Sequence, residues 1–334
     1  MILNKIVRNF LRKPLFLKLT LAFLAFFFLF HFHRINFSVF TSMQIRWNYF
    51  VLAFLLTLPP FWIVSYRLKL ILLSQNIEIT HRQSFYWTMV GSFFDLTMPS
   101  SNGGDIVKAG YIVNYLGAGY RTKAIMSVAF DRVVGLLGLF LLASIVSVLG
   151  WQFLENLPAR NLLVGICLFA SLGAIALFRI VGSHWLYNKL HLNKRLNSNS
   201  FGIRFKNIIG SFNSLRKRPR LFLLSLSLSV LNHLFWCGSL FLIAAAIGNS
   251  IEIFQGLIVF PLAIFGGIFG VAGGFGVGTA GFDFLFSHLL LIQNGALIGL
   301  LFQIFGALSR LFGMPFYLLF NENLDLNEFF PKQK

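Results

Sequence analysis

Charge is scarce in this sequence. Of its 334 residues only 11% are Asp, Glu, Lys or Arg, whereas 57% are hydrophobic. A soluble domain of this length needs far more polar surface to meet water. Acids are scarcest, ten against 28 Lys and Arg. Cysteine is nearly absent, and Cys167 and Cys237 each lie inside an apolar stretch. A disulfide framework is thereby excluded, and both read as inert packing residues. The acids and histidines lack metal-ligand spacing, and no serine or cysteine has an obvious base partner. No metal, cofactor or catalytic residue is therefore expected. The net charge of +18 comes without a zinc finger or base-stacking module, so no nucleic-acid partner is expected either.

What is present is apolar length. Trp47–Tyr66, Val133–Leu154, Asn161–Phe178, Leu221–Ile251, Ile253–Phe282 and Phe284–Ser309 each lack all four charged residue types. Each is close to a bilayer crossing. Their hydrophobicity is continuous rather than alternating, which selects helices over a closed barrel. The sequence therefore predicts an all-α polytopic membrane protein forming one transmembrane domain over 1–334. Leu19–His33 follows Lys5, Arg8, Arg12, Lys13 and Lys18 and reads as an uncleaved first span.

Orientation follows from the basic residues. The stretch 183–220 carries Lys189, Lys194, Arg195, Arg204, Lys206, Arg216, Lys217, Arg218 and Arg220 and no acid, whereas 248–252 has no Lys or Arg. The positive-inside bias puts this loop and both termini in the cytoplasm, in the cell (inner) membrane. The counts close if spans cross at 15–33, 47–66, 122–150, 160–182, 221–247 and 294–320. Arg67, Lys69 and Arg82 then belong to a cytoplasmic connection. Segments 84–118 and 253–292 must each return to the side they entered. Both are broken, the first at Met98-Pro99-Ser100-Ser101-Asn102-Gly103-Gly104-Asp105 and the second by eight glycines from Gly266 to Gly281. The expectation is six transmembrane helices plus two re-entrant, glycine-broken hairpins.

The halves 47–182 and 221–320 read as a possible inverted repeat around a central site. Gly103-Gly104 and Ala109-Gly110 match Gly273-Gly274 and Ala280-Gly281 with one residue of slip. Arg132 and Gly135 match Arg310 and Gly313.

Pro99-Ser100-Ser101-Asn102-Gly103-Gly104-Asp105-Ile106-Val107-Lys108-Ala109, followed by Asp131-Arg132, resembles the transmembrane region of lysylphosphatidylglycerol synthases, which also forms stand-alone, flippase-like membrane proteins. The second hallmark of that family is a Gly-rich turn ending in G-x-G-E and an arginine in the last helix. Gly273-Gly274-Phe275-Gly276-Val277-Gly278 and Arg310 match it. Thr279 stands where the family usually has glutamate, and the proline before the glycines is missing. The resemblance implies a module that moves or accommodates a lipid or lipid-linked substrate. Fused members carry a cytosolic aminoacyl-transferase domain. Only Asn321–Lys334 follow the last span, so lysyl transfer is not expected of this chain.

The candidate substrate-binding residues are Asn102, Gly103, Gly104, Asp105, Lys108, Asp131, Arg132, Gly274, Gly276, Gly278 and Arg310. The Asn102–Lys108 turn opens a half-helix whose N–H groups favour anions. The plainer reading is a tight reversal capped by Asp105. Asp131-Arg132 lies roughly 13 Å into its helix, where charge marks function or pairing. Arg132 would hold a lipid phosphate, or Asp131 would pair with Arg310 as a structural link. Gly276-Val277-Gly278-Thr279-Ala280-Gly281 fits a dinucleotide fingerprint but follows a helix rather than a strand. Close packing or a substrate-lining turn remain its readings. His233 and His288 are relay or packing residues, and Asp95 and Asp283 are caps or coupling-ion ligands. The function expected is binding or translocation of an anionic lipid or lipid-linked intermediate. The alternatives are a non-transporting partner of a glycosyl- or aminoacyl-transferase, or an enzyme using Asp131 or Asp105 as base.

Overall fold

The structure is a computed structural model that describes residue 27 and residues 45–97, 103–181, 213–269 and 274–319. The expected first span at 15–33 apart from residue 27, Asn102 with the rest of 98–102, most of the basic stretch 183–220, and Gly273 lie outside these residues.

Helices α1 (Trp47–Leu55) and α2 (Pro59–Ser74) form one apolar column of 28 residues. The step between them is written in Pro59-Pro60. Proline lacks the N–H that would continue α1, yet suits the first turn of a new helix, where that N–H has no partner anyway. Thr57 Oγ1 closes the joint by donating to the Phe54 carbonyl at 2.6 Å. Next come α3 (His81–Thr97) and α4 (Gly103–Leu116), packed as a hairpin, and then α5 (Arg121–Leu149). At about 1.5 Å per residue, its 29 residues exceed a hydrocarbon core of about 30 Å. Helix α6 (Arg160–Val181) returns along it. Arg160 stacks its guanidinium 4.4 Å above the Trp151 ring at the start of that return.

The second half repeats the order of span, hairpin and span. It runs through α7 (Pro219–Ala246), α8 (Ile253–Gly266), α9 (Val277–Leu289), α10 (Gly295–Leu311) and the short α11 (Gly313–Leu319). Helix α7 is the hub, touching α1, α2, α5, α8 and α10. One hydrophobic core surrounds the second hairpin, with Leu240, Phe260, Phe282, Phe286 and Ile298. Another fills the first hairpin, with Leu68, Trp87, Val90, Tyr111 and Ile112. Large apolar side chains such as Trp47, Leu149, Phe169 and Leu172 face outward, as a lipid-facing surface requires.

The protein is thus all-α and multi-pass. Among the described residues, four helical stretches are long and apolar enough to cross a membrane: Trp47–Ser74, Arg121–Leu149, Pro219–Ala246 and Gly295–Leu318. The expected connection after residue 66 is corrected. Helix α2 continues to Ser74, and Arg67 is buried within it at 5% exposure. Counting basic residues assigns Arg67 to a loop because the count cannot see a buried partner.

Glycine sets how closely the first hairpin closes. A Cβ on Gly104 would overlap the Gly91 carbonyl, and one on Gly91 would lie 2.7 Å from Lys108 Cγ. The two arms therefore meet backbone to backbone. Gly313 plays the same part where α11 leaves α10, against the Met89 carbonyl of α3. Gly104→Ala should force the arms apart and cost about 1–3 kcal/mol, the usual range for overpacking. Thermal melting in detergent reads this out, and an unchanged melting temperature contradicts the close approach.

Candidate functional site

Three elements meet at the mouth of the first hairpin. Asp95, near the end of α3, accepts the Gly104 N–H through Oδ1 at 2.8 Å. It thereby satisfies one of the free N–H groups that open α4. The cap across this reversal is Asp95, not Asp105. Asp105 instead faces α5, where Arg132 Nε donates to its Oδ2 at 2.5 Å. Arg132 Nη2 reaches Asp95 Oδ2 at 3.3 Å, so one guanidinium ties both arms of the hairpin to α5. Lys108 Nζ lies 3.6 Å from Asp105 Oδ1, one turn further into α4. The Asp95 and Asp105 side chains are 15% and 16% exposed, whereas Arg132 is 46% exposed. The cation is therefore the open face of this cluster.

Arg310 of α10 joins it. Its charge lies within interaction range of both Asp95 and Arg132. Among the described residues it forms no ion pair. The sequence-based pairing of Arg310 with Asp131 is thus not found. Asp131 Oδ1 accepts instead from Arg67 Nε at 2.7 Å, and both side chains are buried. Arg67 Nη1 donates to Ser229 Oγ at 2.5 Å, and Ser229 donates to the Val134 carbonyl at 3.0 Å. His233 Nε2 lies 3.0 Å from the next carbonyl, that of Gly135. Gly135 itself leaves room for the guanidinium, since a Cβ there would sit 3.3 Å from Arg67 Nη1. Asp131 is therefore the counter-charge of a link between α2, α5 and α7.

The second glycine-rich turn is built without charge. Gly274 and Gly276 adopt φ of +123° and +81°, a region that side chains rarely enter. Gln303 of α10 closes the turn, donating through Nε2 to the Gly274 carbonyl at 3.0 Å. Its Oε1 accepts from Thr279 Oγ1 at 2.6 Å. A Cβ on Gly278 would lie 3.0 Å from Gly267 Cα and 3.1 Å from Gln303 Nε2. Thr279, where the resemblance expects glutamate, is thus a neutral partner of a neutral amide. Gln303 and Arg310 are seven residues apart on α10, two turns or about 10 Å. One helix therefore carries the lock of the second turn and, near the first, a cation with no ion pair among the described residues.

Gly103, Gly104, Asp105, Lys108 and Arg132 are brought together, and the charge of Arg310 comes within range of Arg132. Gly274, Gly276 and Gly278 sit apart in their own turn. Asp283 is buried near Ser287, 3.5 Å from its Oγ, and His288 caps its own helix at the Phe284 carbonyl. Sequence reasoning missed Arg67 and Gln303. Each had a signal: Asp131 in mid-helix requires a cation, and Gln303 is a lone polar residue in the apolar run Gly295–Leu308. Among the described residues no group of three or more His, Cys, Asp or Glu could hold a metal ion.

Residues 15–312 match the family described as "Lysylphosphatidylglycerol synthase TM region". The chain belongs to this family. No curated protein and no solved structure matches it. The match covers the membrane region of these synthases, and the family and fold are consistent with a lipid-handling, flippase-like membrane protein.

Breaking the Arg67–Asp131 pair strands one buried charge, which costs about 3–5 kcal/mol. Arg67→Leu or Asp131→Leu alone should therefore lower the melting temperature sharply. The double variant should recover most of the loss, because no charge is left uncompensated. Additive losses in this cycle would show that the two residues act independently.

Proposed function

We propose that the protein binds and translocates a lipid with an anionic headgroup, using the cluster at the mouth of the first hairpin. The observation that carries this reading is Arg310. Among the described residues it is a cation without a paired carboxylate, and its charge lies within interaction range of the half-exposed Arg132 and of Asp95, which caps the opening turn of α4. A guanidinium grips phosphate through parallel hydrogen bonds, and a helix start adds N–H groups of the right polarity. The acyl chains would remain in lipid while the headgroup follows the polar groups of the cluster.

In this reading α3–α4 and α8–α9 are re-entrant hairpins entering from opposite faces. The repeated order of span, hairpin and span supports an inverted repeat of 47–182 and 221–320. The expected 15–33 helix completes six spans, with the basic loop and both termini cytoplasmic. Cys167 and Cys237 are both buried, so a cysteine placed at position 200 reports its side alone. An impermeant thiol reagent should label it only after cells are opened. Labelling in intact cells contradicts the orientation.

Arg310→Gln tests the site. Losing one charge-assisted contact should cost roughly 1.5–3 kcal/mol, a loss of about tenfold to a hundredfold in affinity for an anionic lipid. Arg310→Lys keeps the charge but not the fork, and should fall between the two. Titration of labelled anionic lipid into purified protein reads both. Wild-type affinity in Arg310→Gln removes this residue from the site.

A further inference from the structure

We infer that the seam between α2, α5 and α7 binds internal water, forming a polar half-path that enters beside Arg218 and stops near Ser239. Ser225, Ser229, Asn232 and Ser239 are all buried. They recur at spacings of 4, 3 and 7 residues and so share one face of α7. From Ser225 to Ser239 that face runs about 21 Å along the helix. Ser229 lies against Gly138 of α5 and accepts from Arg67 of α2, which places the face in the seam. Asp131 meets Arg67 there, whereas Arg132, next on α5, turns to the first hairpin. The seam is therefore separate from the headgroup cluster and does not rest on that reading.

Polar atoms here outnumber their partners. Among the described residues, the Ser127, Ser225 and Ser239 hydroxyls, Asn232 Oδ1 and His233 Nδ1 are buried without a hydrogen bond. Asn232 is only 5% exposed. His233 gives Nε2 to the Gly135 carbonyl, and its other ring nitrogen is left over. Such groups are costly in an apolar interior, and internal water is what usually completes them. Buried hydroxyls elsewhere on α5 and α6 need none. Ser144 pairs with Ser171, Ser147 donates to the Ala143 carbonyl, and Ser171 is within reach of the Cys167 carbonyl. The two ends of the seam differ in the same way. Past Ser239, α7 continues as Leu240, Ile243 and Ala244 in an apolar core with Leu142 and Val146 of α5. At the other end Arg218 donates to the Leu73 carbonyl and to the exposed Asn76. The polar face thus begins at the surface and is sealed by apolar packing. Water beside the Arg67–Asp131 pair also lowers the cost of holding those charges at depth.

Silver ion tests this on the full-length protein, because it replaces a thiol proton and travels through water but not through hydrocarbon. Ser225→Cys and Ser239→Cys are exposed to Ag⁺ in sealed vesicles, and the thiols left free are counted after unfolding. Both should be blocked roughly tenfold faster or more than Cys237, which is buried in the apolar core on another face of α7. Cys237 is present in every molecule and serves as the dry control. Blocking should proceed from the side that labels a cysteine at position 200, and not from the other. A rate equal to that of Cys237 at either position, or blocking from the opposite side, overturns the inference. Asn232→Leu gives a second reading without a reagent. Leucine removes the penalty of an amide that has no partner at all and so raises the melting temperature, whereas it takes a partner from bound water and so lowers it. A lower value is expected, and a higher one overturns the inference. Neither measurement depends on lipid affinity at Arg310, so this inference and the proposed function stand or fall separately.

Discussion

A charge inside hydrocarbon must be compensated, and that requirement organises the polar interior of this protein. Asp131 in the middle of α5 is stable because α2 continues beyond its expected end and delivers Arg67. Delivering Arg67 in turn fixes how α2, α5 and α7 pack, through Ser229 and the paired carbonyls of Val134 and Gly135. Asp95 and Asp105 meet the same requirement with Arg132, which pins both arms of the first hairpin to α5. Against these pairs, Arg310 is the cation of the cluster that forms no ion pair among the described residues.

Close backbone approach is what lets these side chains reach one another. Gly104 against Gly91 brings α4 near enough to α3 for Asp95 to cap it. Gly135 makes room for Arg67, and Gly138 for Ser229. In the second half, glycines serve a turn held by neutral hydrogen bonds between Thr279, Gln303 and Gly274. The two halves share an order of elements but not a chemistry. The first hairpin is held by ion pairs, and the second by neutral hydrogen bonds.

Much of this was legible in the sequence. Continuous apolar length gave helices, and glycine clusters marked both breaks, with Pro99 at the first. The matched spacing of Arg132 and Arg310 singled out the two arginines that the structure brings into range of one another. What stayed hidden was long-range pairing. Arg67 sits one residue past a charge-free run, so a count of basic residues placed it in a loop. Asp95 caps α4, one of the two roles its position suggests, whereas Asp105 pairs with Arg132 rather than capping, because only the packed hairpin shows which carboxylate faces α5. Gln303 carries no motif, and its meaning appears only when α10 lies against the turn at Gly274.

The account turns on which cation is surplus, and thermal stability in zwitterionic detergent without anionic lipid measures that directly. Arg67→Gln and Arg132→Gln should each melt well below wild type, since the first strands the buried Asp131 and the second the largely buried Asp95 and Asp105. Arg310→Gln should melt at or above wild type, because it removes a charge that has no ion pair among the described residues. A loss in Arg310→Gln as large as in Arg132→Gln would show that Arg310 is already compensated, and would contradict the account.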